Sequence, residues 1–213
     1  MSWYLNFKKY KKLVKEAVFH RSELEFMKEV LADYHLKFEQ KQIEYCKKNN
    51  IDLKELQKQN SEKIKNTFGT QKPKPTDEEG IIPVEDRSEE EKRRAKAFLK
   101  IYKLIAKKIH PDKFANRLRT EEIVEKEEMF KEATEAHEKA DWARLLEISE
   151  ELKIKPVNLK DICKEIKVEI ELLKNKIKHT ERMFSWRLYA CEEDQECEDK
   201  IIKDFLRQFF NYK

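Results

Sequence analysis

Phe98-Leu-Lys-Ile-Tyr-Lys-Leu-Ile-Ala-Lys-Lys-Ile-His-Pro-Asp-Lys113 reads as an amphipathic helix that runs into a proline. Phe98, Ile101, Tyr102, Ile105 and Ile109 recur at intervals of three and four and make one apolar stripe. Pro111 has no amide to continue the ladder and disfavours helical backbone in the residue before it, so His110 and Asp112 are expected in a constrained loop. Downstream, Ile123, Met129, Phe130, Ala133 and His137 mark the inward face of a second helix, and Asp141 is placed to cap a third carrying Trp142, Leu145, Leu146 and Ile148. Two antiparallel helices with an exposed His-Pro-Asp between them would form a presentation device. The proline holds imidazole and carboxylate in place before a partner arrives, which lowers the ordering cost of binding.

Charge divides the same segment. Between Lys92 and Arg119 there are eleven Lys or Arg against the single acid Asp112, a net of +10, whereas Glu121 to Glu138 holds eight Glu against Lys126 and Lys131, a net of −6. The first helix therefore carries a field suited to steering toward an acidic partner, and the second an opposite field that favours the hairpin. Exposed pairs contribute at most ~1 kcal/mol each, so the charge serves encounter and orientation more than stability.

Outward from the hairpin, Ser88-Glu89-Glu90-Glu91 supplies an N-cap and an acidic first turn. Before it, residues 71–87 read as a flexible, charged, Pro-containing linker with Ile81, Ile82 and Val84 as its only apolar cluster. Residues 1–70 read as amphipathic and coiled-coil helices. A basic one spans Ser2 to Arg21, with Trp3, Phe7, Tyr10, Val14 and Val18 on one face and Lys8, Lys9, Lys11, Lys12 and Lys15 on much of the other. Its stripe is expected to pack inside the protein, with Phe205, Leu206, Phe209 and Phe210 as candidate neighbours; contact of residues 2–21 with an anionic membrane surface is the minority reading. Ser22 with Glu25 suggests a capping box that opens a second helix carrying Leu24, Met27, Leu31, Tyr34, Phe38 and Tyr45. Asn49-Asn50 offers a left-handed stop, and Asp52 with Glu55 a restart that fades near Phe68-Gly69. Residues 88–150 hold the hairpin, and residues 151–213 a C-terminal helical arm. After the break at Pro156, Asn158 precedes a stripe of Leu159, Ile162, Ile166, Ile170, Leu173 and Ile177. An antiparallel stalk joining this stripe to the Leu24–Tyr45 stripe is expected, within one chain or between two copies.

Composition sets the class. Two Gly and five Pro in 213 residues favour long helices, and 42% charged against 39% hydrophobic residues supply slender helical layers, not one large core. The expected fold is all-α: a hairpin flanked by long amphipathic helices. Cys46, Cys163, Cys191 and Cys197 form no CxxC pair, so neither a zinc site nor a disulfide framework is expected, and a reducing, cytoplasmic setting fits. No apolar run approaches the ~18 residues that span a bilayer. No cofactor is implied. Enzymatic use is not expected either, because no second base, nucleophile or oxyanion donor set can be placed beside His110.

The apolar-Tyr-Lys pattern before His110-Pro111-Asp112-Lys113, together with Phe130-Lys-Glu-Ala-Thr-Glu-Ala-His137, resembles the J-domain (DnaJ-like) co-chaperone family over about 60 residues, Ser88 to Ser149. The resemblance implies binding of the basic helix and the His-Pro-Asp loop to a DnaK-type heat-shock chaperone and stimulation of its ATPase. Carried over, His110, Pro111 and Asp112 would be the essential triplet, with Tyr102, Lys103, Lys107, Lys108 and Lys113 as supporting contacts. The chain departs from the family in lacking the Asp-Tyr-Tyr-x-x-Leu-Gly opening before Ser88, and it places Leu99 and Leu104 where basic residues are common and His137 where tyrosine is common. With no Gly/Phe-rich region and no zinc-binding repeat, it is similar to the third class of that family. The helical arms would then serve self-association or client binding. Two rivals remain open: a helical scaffold in which the hairpin is vestigial, and a nucleic-acid-binding protein that uses the Lys92–Arg119 surface.

Overall fold

Two of the hairpin's helices, and the short restart after Asn50, begin where a side chain satisfies the first free amides. In the computed structural model, which describes residues 3–58, 88–116, 118–156, 158–210 and 212, no strand occurs among the described residues and the fold is all-α. We number the helices α1 (Trp3–Lys48), α2 (Glu89–Ile109), α3 (Glu121–Glu138), α4 (Trp142–Glu151), α5 (Leu159–Glu181), α6 (Phe184–Tyr189) and α7 (Gln195–Phe210). Ser88 opens α2 with a reciprocal capping box: its hydroxyl accepts from the Glu91 amide and the Glu91 carboxylate accepts from the Ser88 amide. The Asp141 carboxylate accepts from the Arg144 amide at the start of α4, as its position suggested. Asp52 accepts from the amides of Lys54 and Glu55 and restarts helix over residues 53–58.

Helix ends use an unusual residue choice. Where Gly commonly takes the left-handed position that closes a helix, this Gly-poor chain places Asn50 (φ 54°), Ala140 (φ 54°) and Lys153 (φ 52°). In each case the next amide reaches back five residues, Ile51 to Cys46, Asp141 to Ala136 and Ile154 to Ser149, each at 2.8 Å, so the last turn is satisfied despite the unfavourable backbone.

The chain divides into two compact units: residues 1–23 with 79–175, and residues 24–78 with 176–213. In the first, Phe98, Ile101, Ile105 and Ile109 of α2 meet Ile123, Ala133 and Ala136 of α3 and Trp142, Leu145, Leu146 and Ile148 of α4, all buried. Phe98 stacks on Trp142 with ring centroids 5.0 Å apart. Tyr10, Leu13, Val14 and Ala17 of α1 are buried in this unit. There the Tyr10 hydroxyl lies 3.4 Å from Ser149 Oγ, and Arg21 Nε donates to both Asp141 oxygens at 3.0 and 2.8 Å. Arg93 pairs with Glu165 of α5 at 3.1 Å, and Lys174 with Glu16 at 2.9 Å. In the second unit, Phe38 and Cys46 of α1 share an apolar cluster with Leu188, Ile201, Ile202 and Leu206, joined from the side by Phe184 and Phe205.

Three expectations are corrected. The Ser22–Glu25 capping box does not form, because α1 runs unbroken from Trp3 to Lys48: nothing in that stretch is Gly or Pro, and propagating a formed helix outweighs one local cap. The Tyr10–Ala17 stripe is buried in the first unit, whereas Phe205 and Leu206 gather on Phe38 in the second. The stalk pairing is divided likewise, with Leu159–Leu173 in the first unit and Leu24–Tyr45 in the second. Within the first unit α1 and α5 run parallel: Lys9 near the start of α1 lies close enough to Cys163 near the start of α5 to favour its thiolate against burial, and Glu16 meets Lys174 further along both helices. The antiparallel mate of the second half of α1 is α7, with Phe38 against Phe205, Lys41 bonded to Glu198 at 2.6 Å and Lys48 to Asp199 at 3.5 Å. A fourth correction concerns sulfur, because Cys191 and Cys197 are joined as a disulfide. The expected linker, the fade near Phe68-Gly69, and Ile81, Ile82 and Val84 lie outside the described residues.

Candidate functional site

At the end of α2 the ladder stops on His110, whose backbone is extended (φ −59°, ψ 133°), and Pro111-Asp112-Lys113 forms one 3₁₀ turn with proline in its first position. The His110 Nδ1 accepts from the Asp112 amide at 3.3 Å and stands 3.4 Å from Asp112 Oδ2. The imidazole therefore orders the turn from within. Its ring meets the edge of Phe130 on α3 at 5.1 Å, which fixes the turn against the second helix. The exposures differ: the His110 side chain is 45% accessible and that of Asp112 is 90%. One partner is half-seated and the other is offered outward.

The supporting residues separate into two groups. Tyr102 is half-buried, its hydroxyl 3.2 Å from Thr134 Oγ1 and its ring stacked on His137 at 4.7 Å, so it braces α2 against α3 and is not presented to solvent as a whole. Lys108 donates to the Leu152 carbonyl, and Lys113 to the Lys107 carbonyl. Both ammoniums thus close backbone ends, Lys108 tying α2 to the end of α4 and Lys113 tying the turn to the last turn of α2. Lys103 and Lys107 remain as exposed cations.

Two neighbours of these lysines belong to the basic surface counted in the sequence but were not named as site residues. Lys96 and Lys100 are exposed at the helical spacing that aligns them with Lys103 and Lys107, forming one basic ridge along α2 that leads to Asp112. The spacing i, i+4, i+7, i+11 was a sufficient signal. Other basic residues of α2 are engaged elsewhere, Arg93 with Glu165 and Arg94 with Glu169 at 3.9 Å. Phe114 was missed. It follows the turn, lies under the Lys126 ammonium at 5.4 Å, and with Lys108, Ile109, Lys113 and Leu152 lines a cleft of about 400 Å³ beside the triplet. Leu99 and Leu104, singled out as apolar departures, are half-buried.

The hairpin stands on a braced base. Arg144 of α4 bonds Glu147 at 2.6 Å and also Glu132 of α3; burial works against its charge, but these carboxylates prevail and raise its pKa. Comparison with protein-family models, with curated proteins and with solved structures gives no match to this chain.

Proposed function

We propose that this chain is a J-domain-type co-chaperone that engages a DnaK-type chaperone through His110, Pro111 and Asp112 and stimulates its ATPase. One observation carries the reading: a proline-set turn at the end of a basic helix holds Asp112 almost fully in solvent, with His110 ordering the turn behind it. A carboxylate so displayed suits a guanidinium on a partner, and the Lys96–Lys107 ridge suits an acidic surface beside it. Lys108, Lys113 and Tyr102 act by shaping the turn and the hairpin, and Lys103 and Lys107 by steering.

The test is equilibrium binding of labelled protein to a DnaK-type chaperone across a salt series, with a nucleic-acid oligomer as competitor. Binding that weakens with salt and survives excess oligomer is expected. Absence of chaperone binding, with salt-dependent capture of the oligomer in its place, would favour nucleic acid as the partner of the ridge.

A further inference from the structure

The loop joining α6 to α7 concentrates chemistry that the hairpin does not use. Cys191 and Cys197 are bonded across it, Cys191 buried and Cys197 half-buried. Cys46, a free thiol, is buried in the same apolar cluster, which Cys197 packs against from outside. Three of the four sulfurs therefore gather in one unit.

Three properties of the loop bear on what the bond does. Its ends are six residues apart, and closing so short a loop removes little freedom from the unfolded chain, so the folded cluster depends on the bond less than on Leu188, Ile201, Ile202 and Leu206. Its backbone holds Glu192 (φ 49°) and Glu193 (φ 67°) in the left-handed region, which disfavours residues with a Cβ and which an opened loop can leave. Its charge is one-sided: Glu192, Glu193, Asp194 and Glu196 are all exposed, whereas Glu198 and Asp199 are taken by Lys41 and Lys48. These four exposed carboxylates immediately precede or adjoin Cys197 in the chain, so the field around the bond is set largely by acids.

We propose that Cys191–Cys197 is a reversible dithiol–disulfide site that exchanges with a thiol partner of cationic surroundings. An incoming thiolate attacks the more accessible Cys197 sulfur, the bond between the two cysteines breaks, and Cys191 leaves as a thiolate that takes up a proton. A second partner thiolate attacks the mixed disulfide, releasing Cys197, which is protonated in turn. The partner thiols end as a disulfide, and two electrons and two protons have passed to this chain. Glu193 lines, with Tyr34, Lys37, Lys41 and Glu198, a cleft of about 430 Å³, so opening the loop alters one wall of that cleft. The site does not depend on the co-chaperone reading.

The test uses the full-length oxidised protein and three monothiols, cationic cysteamine, neutral mercaptoethanol and anionic glutathione, each compared on a small uncharged disulfide to correct for intrinsic reactivity. Reduction is followed by acid quench, alkylation and mass. After correction, cysteamine is expected to outrun glutathione by roughly tenfold or more at low salt, with the difference shrinking as salt rises and in a Glu192→Gln, Glu193→Gln, Glu196→Gln variant. In a separate alkylation of the native reduced protein, Cys46 should stay protected, which separates exchange from unfolding. Rates that follow the small disulfide, four alkylated cysteines before reduction, or exposure of Cys46 on reduction would each overturn the proposal.

Discussion

Asp112 and His110 face one another at 3.4 Å across Pro111 and do different work. His110 orders the turn through the Asp112 amide and rests on Phe130, while the Asp112 carboxylate makes its main contact with solvent. Asp112→Asn should therefore shift stability by no more than ~0.5 kcal/mol, as exposed substitutions usually do, and His110→Gln somewhat more because it gives up the ring edge on Phe130. Urea midpoints for the two variants measure the difference; a large loss for Asp112→Asn would contradict its display in solvent. Tyr10 yields a second prediction. Burial pushes its pKa from 10.0 up to about 12, against which the Ser149 hydrogen bond acts weakly. The folded state thus keeps a proton that the unfolded state loses, so stability is intact below pH 10 and falls as pH rises toward 12. Tyr10→Phe should flatten part of that alkaline decline in a melting series, and an unchanged slope would count against the buried hydroxyl. At this scale the exposure of Asp112 was legible, because Pro111 cannot continue the ladder of the helix before it and turns His110 out of helical backbone. The Phe130 contact was not, since it depends on how closely α3 approaches.

Elements begin in two ways here, and the contrast is measurable. Ser88 makes a full capping box at α2, whereas Thr120 at the start of α3 makes no side-chain cap bond. Ser88→Ala should cost ~1 kcal/mol and Thr120→Ala a few tenths at most, read from denaturant midpoints. Equal losses would contradict the capping geometry. Deeper in the hairpin, Phe98→Ala removes a fully buried ring stacked on Trp142, with an expected cost of ~3–5 kcal/mol. The stripes of α2, α4 and α5 were legible because apolar periodicity is local information. The break expected at Ser22 was not real: a cap motif is equally local, but whether it caps depends on the residues before it being non-helical, and those residues propagate helix instead. The left-handed closures at Ala140 and Lys153 carried no glycine signal at all.

At the scale of the molecule, the sequence showed which helices carry apolar faces but not which faces meet. The Leu24–Tyr45 and Leu159–Ile177 stripes look alike in period and length, and mutual pairing was the simplest arrangement; the division into two units follows from contacts as distant as Lys174 with Glu16 and Lys41 with Glu198. The disulfide escaped notice for a related reason, since a lone pair of cysteines six apart resembles no framework. The charge asymmetry was legible, and its consequence is kinetic. Lys103→Ala or Lys107→Ala should slow association with the chaperone at low salt and lose that effect at high salt, because steering charges act at a distance and are screened. The most direct measurement is ATP turnover by a DnaK-type chaperone with parent and Asp112→Asn protein at matched concentration, alongside a melting curve for each. Acceleration by the parent and loss of acceleration by an equally stable Asp112→Asn protein is the predicted result, with a weakening of roughly 30-fold or more in the concentration required; equal acceleration by the two proteins would contradict the account.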